Sequence, residues 1–307
     1  MPDFGGSVAR MQEFSTLLFL GLSKVFKDDL PTHPELFRPW LRVESAKEFT
    51  EDGIVTTGFG PMPEKQIGGA FSVDKPKMGT AKEWTLKSYG LGFVAEYELI
   101  RWEKYGVFKG ITKKLSRSGV DRKNVLAHAI LNNSFVSTDA AYTVHNGEAL
   151  IATSHALLRG GTTSNRPATA TALSYVGLQE ALTSFATAVN EDGLFIAIQA
   201  AQLVCHPAKE WEAQTLLGSE YRPDNANMNK NTLSGKLSIV SSPYLTSQTA
   251  WWVLASKESR EMSFDQGDDL EFRKDFDQST WNNLFSMYMS ARVAVLHWYG
   301  TYGTPGV

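Results

Sequence analysis

Six histidines, at positions 33, 128, 145, 155, 206 and 297, are the side chains of this chain that could move protons or hold a metal near neutral pH. Their spacing favours neither role. No two lie four residues apart, the interval that sets two imidazoles on one helical face around a metal. Ser154 and His155 are adjacent, but a nucleophilic serine needs an imidazole converging on it in space with an acid behind the ring. Adjacency supplies none of this. His155 is therefore expected to be a satisfied structural histidine, with a cytosolic hydrolase using Ser154 and His155 as the reading from the enzyme class. The chain has no Gly-x-Ser-x-Gly elbow, no P-loop and no Gly-x-Gly-x-x-Gly run opening a helix. The single cysteine, Cys205, excludes an internal disulfide and a multi-cysteine metal centre. Within Leu203-Val204-Cys205 it reads as a small buried hydrophobe. No catalytic residue, cofactor or metal is expected.

Two charged groups point elsewhere. Asp265, Asp268, Asp269, Glu271, Asp275 and Asp277 form an acidic cluster, but a calcium loop needs tighter ligand spacing, a glycine at its fixed place and a closing Glu. Gly267 lies outside that register. The cluster reads as a solvated loop or as a contact for a basic neighbour. Lys109, Lys113, Lys114, Arg117, Arg122 and Lys123 stand against only Asp121 on a second stretch. They form either a solvated helix face or a surface for phosphate or for an acidic neighbour. Opposite charges on different faces allow head-to-tail association into rings or arrays. The pattern argues for assembly rather than catalysis.

The elements that carry these groups follow from hydrophobic periodicity. The 307 residues suffice for a large core in one or two domains, and a net charge of −3 gives no global drive toward nucleic acid or membrane. There is no signal peptide, and the longest early apolar run, Leu17–Leu20, is far short of the ~20 residues that span a bilayer. A soluble protein made in the cytoplasm is expected. Val8, Met11, Phe14, Leu18, Leu22, Val25 and Phe26 predict an amphipathic helix over 7–27. Short helical character is predicted over Glu96–Lys104, and a long helix over Lys109–Phe135, where Gly119 could introduce a kink. Further helices are predicted over Ser174–Val189, closed by Gly193, and Pro207–Leu217. Strands are predicted over Phe195–Ile198, Gln202–Cys205, Leu237–Val240, Trp251–Ala255 and Leu270–Phe272, with one long strand or a pair between Trp281 and Tyr299. Between Lys47 and Gly92, eight glycines and three prolines interleave with short apolar pieces. So long a segment without its own core is usually functional or disordered. Its aromatic and β-branched residues favour an extended arm that packs on a neighbouring subunit.

The run Asn146-Gly147-Glu148-Ala149-Leu150-Ile151-Ala152-Thr153-Ser154-His155-Ala156-Leu157, followed by Gly160-Gly161-Thr162-Thr163-Ser164-Asn165, resembles tailed-bacteriophage major capsid proteins of the Mu-like head subunit type. Leu203-Val204-Cys205-His206-Pro207, Trp211-Glu212, Ser242-Pro243-Tyr244-Leu245 and Trp251-Trp252 follow in that family's order, and Asp275 through Arg292 to Tyr299 resembles the last strands of the Hong Kong 97 capsid fold. The resemblance runs from about Glu96 to the end and is weaker before it. It implies an α+β fold with an N-terminal arm at 1–46, an extended E-loop hairpin at 47–92 and a peripheral domain at 93–171 with a spine helix at 109–135. An axial domain at 172–265 and C-terminal strands at 266–307 returning to the peripheral domain complete it.

The implied function is self-assembly into hexamers and pentamers of an icosahedral shell around double-stranded DNA. The protein would then be made in the host cytoplasm and reside in the virion, with portal, scaffolding and decoration proteins as further partners and no membrane contact. No long coiled-coil leader precedes the arm, so scaffolding, if used, is expected to be a separate protein or a segment lost from this chain. The runner-up within the fold is an encapsulin, a cellular cargo shell. In the Hong Kong 97 phage an E-loop lysine forms an isopeptide bond with an asparagine, assisted by a glutamate. Counted back from Arg292, the asparagine position is Asn283 and the glutamate position is Ser290, which cannot accept the proton as a desolvated Glu does. Lys65, Lys75, Lys77 and Lys82 lie in the loop, but a non-covalent shell is expected. Lys109, Lys113, Lys114, Arg117, Arg122 and Lys123 are the candidate assembly or DNA-facing residues.

Overall fold

The computed structural model describes residues 5–96, 98, 105–222, 229–277, 279–280 and 282–307, and for 5–15 and 105 the backbone only. The predicted short helix at Glu96–Lys104 falls almost wholly outside these residues. Helix α1 (Gly5–Asp29) extends the predicted 7–27 by a turn's fraction at each end. It buries Leu18, Leu22 and Phe26, the i, i+4, i+8 row that places three side chains on one face.

The larger sheet is organised by one long strand. β12 (Asn283–Val295) spans 13 residues and pairs antiparallel with β4 (Lys87–Ala95) over residues 283–291. β10 (Met262–Gln266) and β11 (Glu271–Phe276) follow one another along β12, pairing with its residues 291–295 and 283–288. Between them Gly267–Leu270 bulges and closes on Ser290, whose amide donates to the Asp268 carbonyl and whose carbonyl accepts from Gly267. β1 (Arg42–Ser45) adds to β10 in parallel. The strand assigned to Leu270–Phe272 is thus longer, and the stretch from Trp281 to Tyr299 holds one strand followed by a turn.

The arm is shorter than its glycine content suggests. β2 (Thr50–Thr56) and β3 (Met78–Thr85) form a two-stranded hairpin joined by residues 57–77, whereas 87–92 belong to β4 in the body sheet. Gly92 belongs there because the backbones approach closely: a Cβ at this position would stand 2.8 Å from the Phe285 carbonyl oxygen.

Helix α2 (Tyr105–Asn132) runs unbroken through Gly119. Its buried stripe (Phe108, Thr112, Leu115, Ser116, Val120, Lys123, Asn124, Ala127, Ile130, Leu131) includes small polar residues. Lys123, expected with Arg122 on the basic surface, lies on this buried face, whereas Arg122 is exposed. Phe108 and Leu115 join Phe26, Phe272 and Phe285 in one cluster under α1.

β5 (His155–Ala156) and β6 (Thr162–Thr163) form a short pair of their own. The smaller sheet has the order β13–β9–β7–β8, with β7 (Ala200–Cys205), β8 (Ser238–Ser241), β9 (Trp251–Ala255) and β13 (Thr301–Thr304). β9 is buried on both faces, which is why it reads as an uninterrupted apolar run. Trp252 and Leu254 enter a core shared with Trp40, Phe264, Ile130 and Val295. Trp251, Val253 and Ala255 enter a second core under α3 (Tyr175–Ala186) and α4 (Glu210–Gly218). Ser174 caps α3, its hydroxyl accepting from the Gly177 amide at 3.1 Å. Phe195, expected in a strand, makes only an isolated bridge to Val189. The division expected at 265/266 does not coincide with the sheets: β10 crosses it and belongs to the larger sheet, and β13, after it, belongs to the smaller. Cys205 is fully buried, as its context suggests, and burial pushes its thiol up to about 11.

Candidate assembly surfaces

The root of the hairpin is fastened by charge. Arg292, buried on β12, donates Nε to Asp265 Oδ2 at 3.0 Å and Nη1 to the Trp84 and Glu48 carbonyls at 3.0 and 3.4 Å. Its Nη2 bonds Glu51 on β2. One guanidinium therefore ties both hairpin strands to the body sheet, a use of its planar fork that a lysine could not reproduce. Beside it Lys82 is buried, donating Nζ to the carbonyls of Val295, at 2.9 Å, and Thr143; burial lowers its pKa to about 8. Lys65, Lys75 and Lys77, by contrast, are exposed in the loop.

Further out, Arg159 ion-pairs with Asp74 at 2.8 Å and Asp192 at 2.6 Å and donates to the Gly58 carbonyl at 2.8 Å. Asp192 also accepts from the Gly58 amide at 2.9 Å. The loop is thus pinned at both ends, and its apolar side chains are left in solvent. Phe59, Met62, Ile67, Phe71 and Val73 are all exposed, Ile67 completely. Grouped exposed apolar side chains of this kind mark an interaction surface.

The basic stretch divides. Lys109, Lys113, Lys114, Arg117 and Arg122 are exposed on α2. Lys113 lies 3.8 Å from Asp29, Arg117 4.0 Å from Asp121, and Arg122 stacks 4.6 Å from the Tyr89 ring centroid. Lys123 is not a surface residue: it is buried between Glu35 at 3.1 Å and Asp269 at 2.6 Å. The complementarity of basic helix and acidic cluster is at this point met inside one subunit. Other acidic residues are engaged too. Asp265 holds Arg292, Glu271 pairs with Arg273 at 2.6 Å, and Asp277 accepts from Ser279 and Thr280.

Ser290 closes the bulge described above, its Oγ accepting from the Asp268 amide at 2.7 Å and donating to Asp268 Oδ2 at 2.9 Å. Asn283 is buried at the start of β12. His155 has both ring nitrogens taken, by Glu148 at 3.1 Å and Asn165 at 2.9 Å, and stacks on Trp298 with ring centroids 4.3 Å apart. Both nitrogens are thus committed away from Ser154, which is exposed, so the two do not form a dyad.

The structure also gathers residues that no spacing linked. His145 and His297 both bond Glu191 Oε1, at 3.2 and 2.9 Å, while Oε2 accepts from the Leu158 amide at 2.7 Å. Burial opposes the charge on Glu191, but the bonds from both imidazoles and Leu158 outweigh it and hold its carboxyl down near 2. Burial dominates at His297, lowering its pKa to about 4.

A family model described as phage capsid protein matches residues 79–302. The chain belongs to the phage capsid protein family. The solved structures similar to this capsid protein give the same fold. A solved structure of Mycobacterium phage Patience matches with 11% identity over 94% of this chain and 86% of that one, at a TM-score of 0.54. The capsid of Myoviridae phage XM1 matches with 10% identity over 87% and 90%, also at 0.54. The virus-like particle from Pyrococcus furiosus matches with 10% identity over 92% and 97%, at 0.53. No curated protein matches the sequence. This capsid protein therefore has the Hong Kong 97-like α+β fold, and its arm and basic helix are to be judged as surfaces of a shell subunit.

Proposed function

We propose that this capsid protein is the major head subunit of a tailed double-stranded DNA phage and closes into hexamers and pentamers of an icosahedral shell. In this reading residues 1–46 are the N-terminal arm and the β2–β3 hairpin is the E-loop lying over the adjacent subunit. The larger sheet with α2 as spine is the peripheral domain, and the smaller sheet with α3 and α4 is the axial domain. The observation that carries the reading is the hairpin itself. Its root is locked by Arg292, while Phe59, Met62, Ile67, Phe71 and Val73 are exposed, without a core among the described residues. A rigid base and an apolar tip suit a clasp on a second copy.

The clasp is proposed to be non-covalent, because Ser290 occupies the expected glutamate position and is already engaged with Asp268. An encapsulin would share the fold, so the fold does not choose between the two; the family assignment favours the phage. Portal, scaffolding and decoration proteins, and packaged DNA, are the expected partners in the virion.

Deleting Phe59–Pro76 tests this. The expected product is a folded subunit, with unchanged circular dichroism and cooperative unfolding, that forms no closed shells in negative-stain electron microscopy. Closed shells from the deleted protein would overturn the role of the arm. Full-length particles on a denaturing gel are expected to run as monomer alone, whereas a ladder of multimers would overturn the non-covalent clasp.

A further inference from the structure

Beneath the arm, the side chains of His145, Glu191 and His297 converge from three distant parts of the chain, and their ligand atoms lie within 4.8 Å of one another. His145 sits in the turn between the bridged residues Thr143 and Ala149, Glu191 in the turn after α3, and His297 two residues beyond β12. All three are buried. A buried carboxylate is stable when a cation compensates it, yet the bonding partners of Glu191 among the described residues are two imidazoles and one amide. Arg159, the nearby cation, is committed to Asp74 and Asp192.

Two imidazole nitrogens and one carboxylate oxygen are a donor set for zinc, which binds nitrogen and oxygen at about 2.0–2.2 Å. Tetrahedral donors at that radius stand roughly 3.3 Å apart, and the two nitrogen–oxygen separations are 3.2 and 2.9 Å. Glu191 Oε2 is held by the Leu158 amide at 2.7 Å, the outer contact that orients a ligating carboxylate. Zinc at His297 Nε2 would leave that ring's proton on Nδ1, which would then give up its 3.4 Å contact from the Tyr299 amide.

We propose that His145, Glu191 and His297 form a structural site for one divalent zinc ion per subunit, with water completing the coordination. The ion would clasp three segments just under the hairpin. Next in sequence to Glu191, Asp192 holds Gly58 and Arg159, and Arg159 holds Asp74. Occupancy therefore stiffens the attachment of the arm. The hydrogen-bonded network without metal is the competing account, and the two differ in what the purified protein binds.

The test uses tag-free full-length protein, stripped with a chelator and then dialysed against zinc chloride. Elemental analysis after gel filtration is expected to find one zinc per chain, with a melting temperature raised by several degrees. Cobalt chloride in place of zinc should give the visible absorption of a four-coordinate nitrogen–oxygen site. His297→Gln, which keeps a polar side chain in the pocket, is expected to weaken zinc binding roughly 100-fold or more, whereas His206→Gln leaves it unchanged. The cobalt spectrum of the wild-type protein needs no variant to fold. Far less than one zinc per chain with no melting shift would overturn the site, as would equal binding by His297→Gln. Because the readout is metal and not shells, a positive result stands even if the arm deletion still assembles.

Discussion

At the scale of single residues, His128 shows what burial does to a titratable group in this protein. Its Nδ1 faces the Asn124 carbonyl at 2.7 Å, and its ring packs edge-on against Trp40 and near Tyr244. Nε2 has no bonding partner among the described residues. Burial lowers its pKa to about 4 from an ordinary value of 6.5. The unfolded chain therefore takes up this proton near pH 6.5 and the folded chain only near 4. Stability from this residue is complete above pH 6.5 and falls as the pH drops through that window. Between pH 7.5 and 5 the loss amounts to about 2 kcal/mol. In denaturant unfolding, His128→Gln is expected to lose that much less than the wild type over the same pH change. A wild-type and variant difference below about 0.5 kcal/mol would show that another group governs the acid limb.

At the scale of elements, what the sequence disclosed depended on how local the cause was. α1, α3 and β9 were legible because burial on one face, or on both, is written in the period of the apolar residues. Lys123 was assigned to the wrong side of α2 because Thr112, Ser116 and Gly119 line its inward face, and small polar residues carry no hydrophobic signal. β10 was invisible for a related reason: Ser263 and Asp265 interrupt its apolar pattern, and Asp265 is buried only because Arg292, 27 residues on, bonds it. The histidine site lies further out of reach, with 46 and 106 residues separating its imidazoles from Glu191. The turn leading into β13 makes an element-scale prediction. Gly300 has φ +70, and a Cβ there would stand 2.9 Å from Arg260 Cγ and 3.0 Å from Ala255 Cβ. Its carbonyl also accepts from the Ala255 amide at 2.8 Å, linking the turn to β9. Gly300→Ala should cost about 2–4 kcal/mol, combining left-handed backbone strain with overpacking against fixed neighbours. A fall in the denaturation midpoint at unchanged slope measures it, and a loss under about 1 kcal/mol would mean that the turn is free to move.

At the scale of the whole molecule, the proposed role as a head subunit raises the question of which surface would meet packaged DNA. Much of the acidic cluster is consumed within the subunit: Asp265 by Arg292, Asp269 by Lys123 and Glu271 by Arg273. That leaves it a poor partner for a basic helix on a neighbouring copy. The exposed Lys113, Lys114 and Arg117 on α2 are therefore better matched to phosphate, which binds through counterion release without regard to sequence. Their ion pairs with Asp29 and Asp121 are long, at 3.8 and 4.0 Å, and the Lys113 and Arg117 side chains are exposed, so each pair contributes under about 1 kcal/mol and reversing these charges should spare the fold. The triple variant Lys113→Glu, Lys114→Glu, Arg117→Glu is expected to assemble shells of normal size that retain less DNA. For isolated subunits on duplex DNA, the dependence of log affinity on log salt should become shallower by about 0.9 per phosphate contact removed, close to 3 in all. Normal DNA content with an unchanged salt slope would place the genome contact elsewhere. Failure to form shells at all would instead reassign this face to contact between subunits, because phosphate binding is not needed to close the clasp made by the arm.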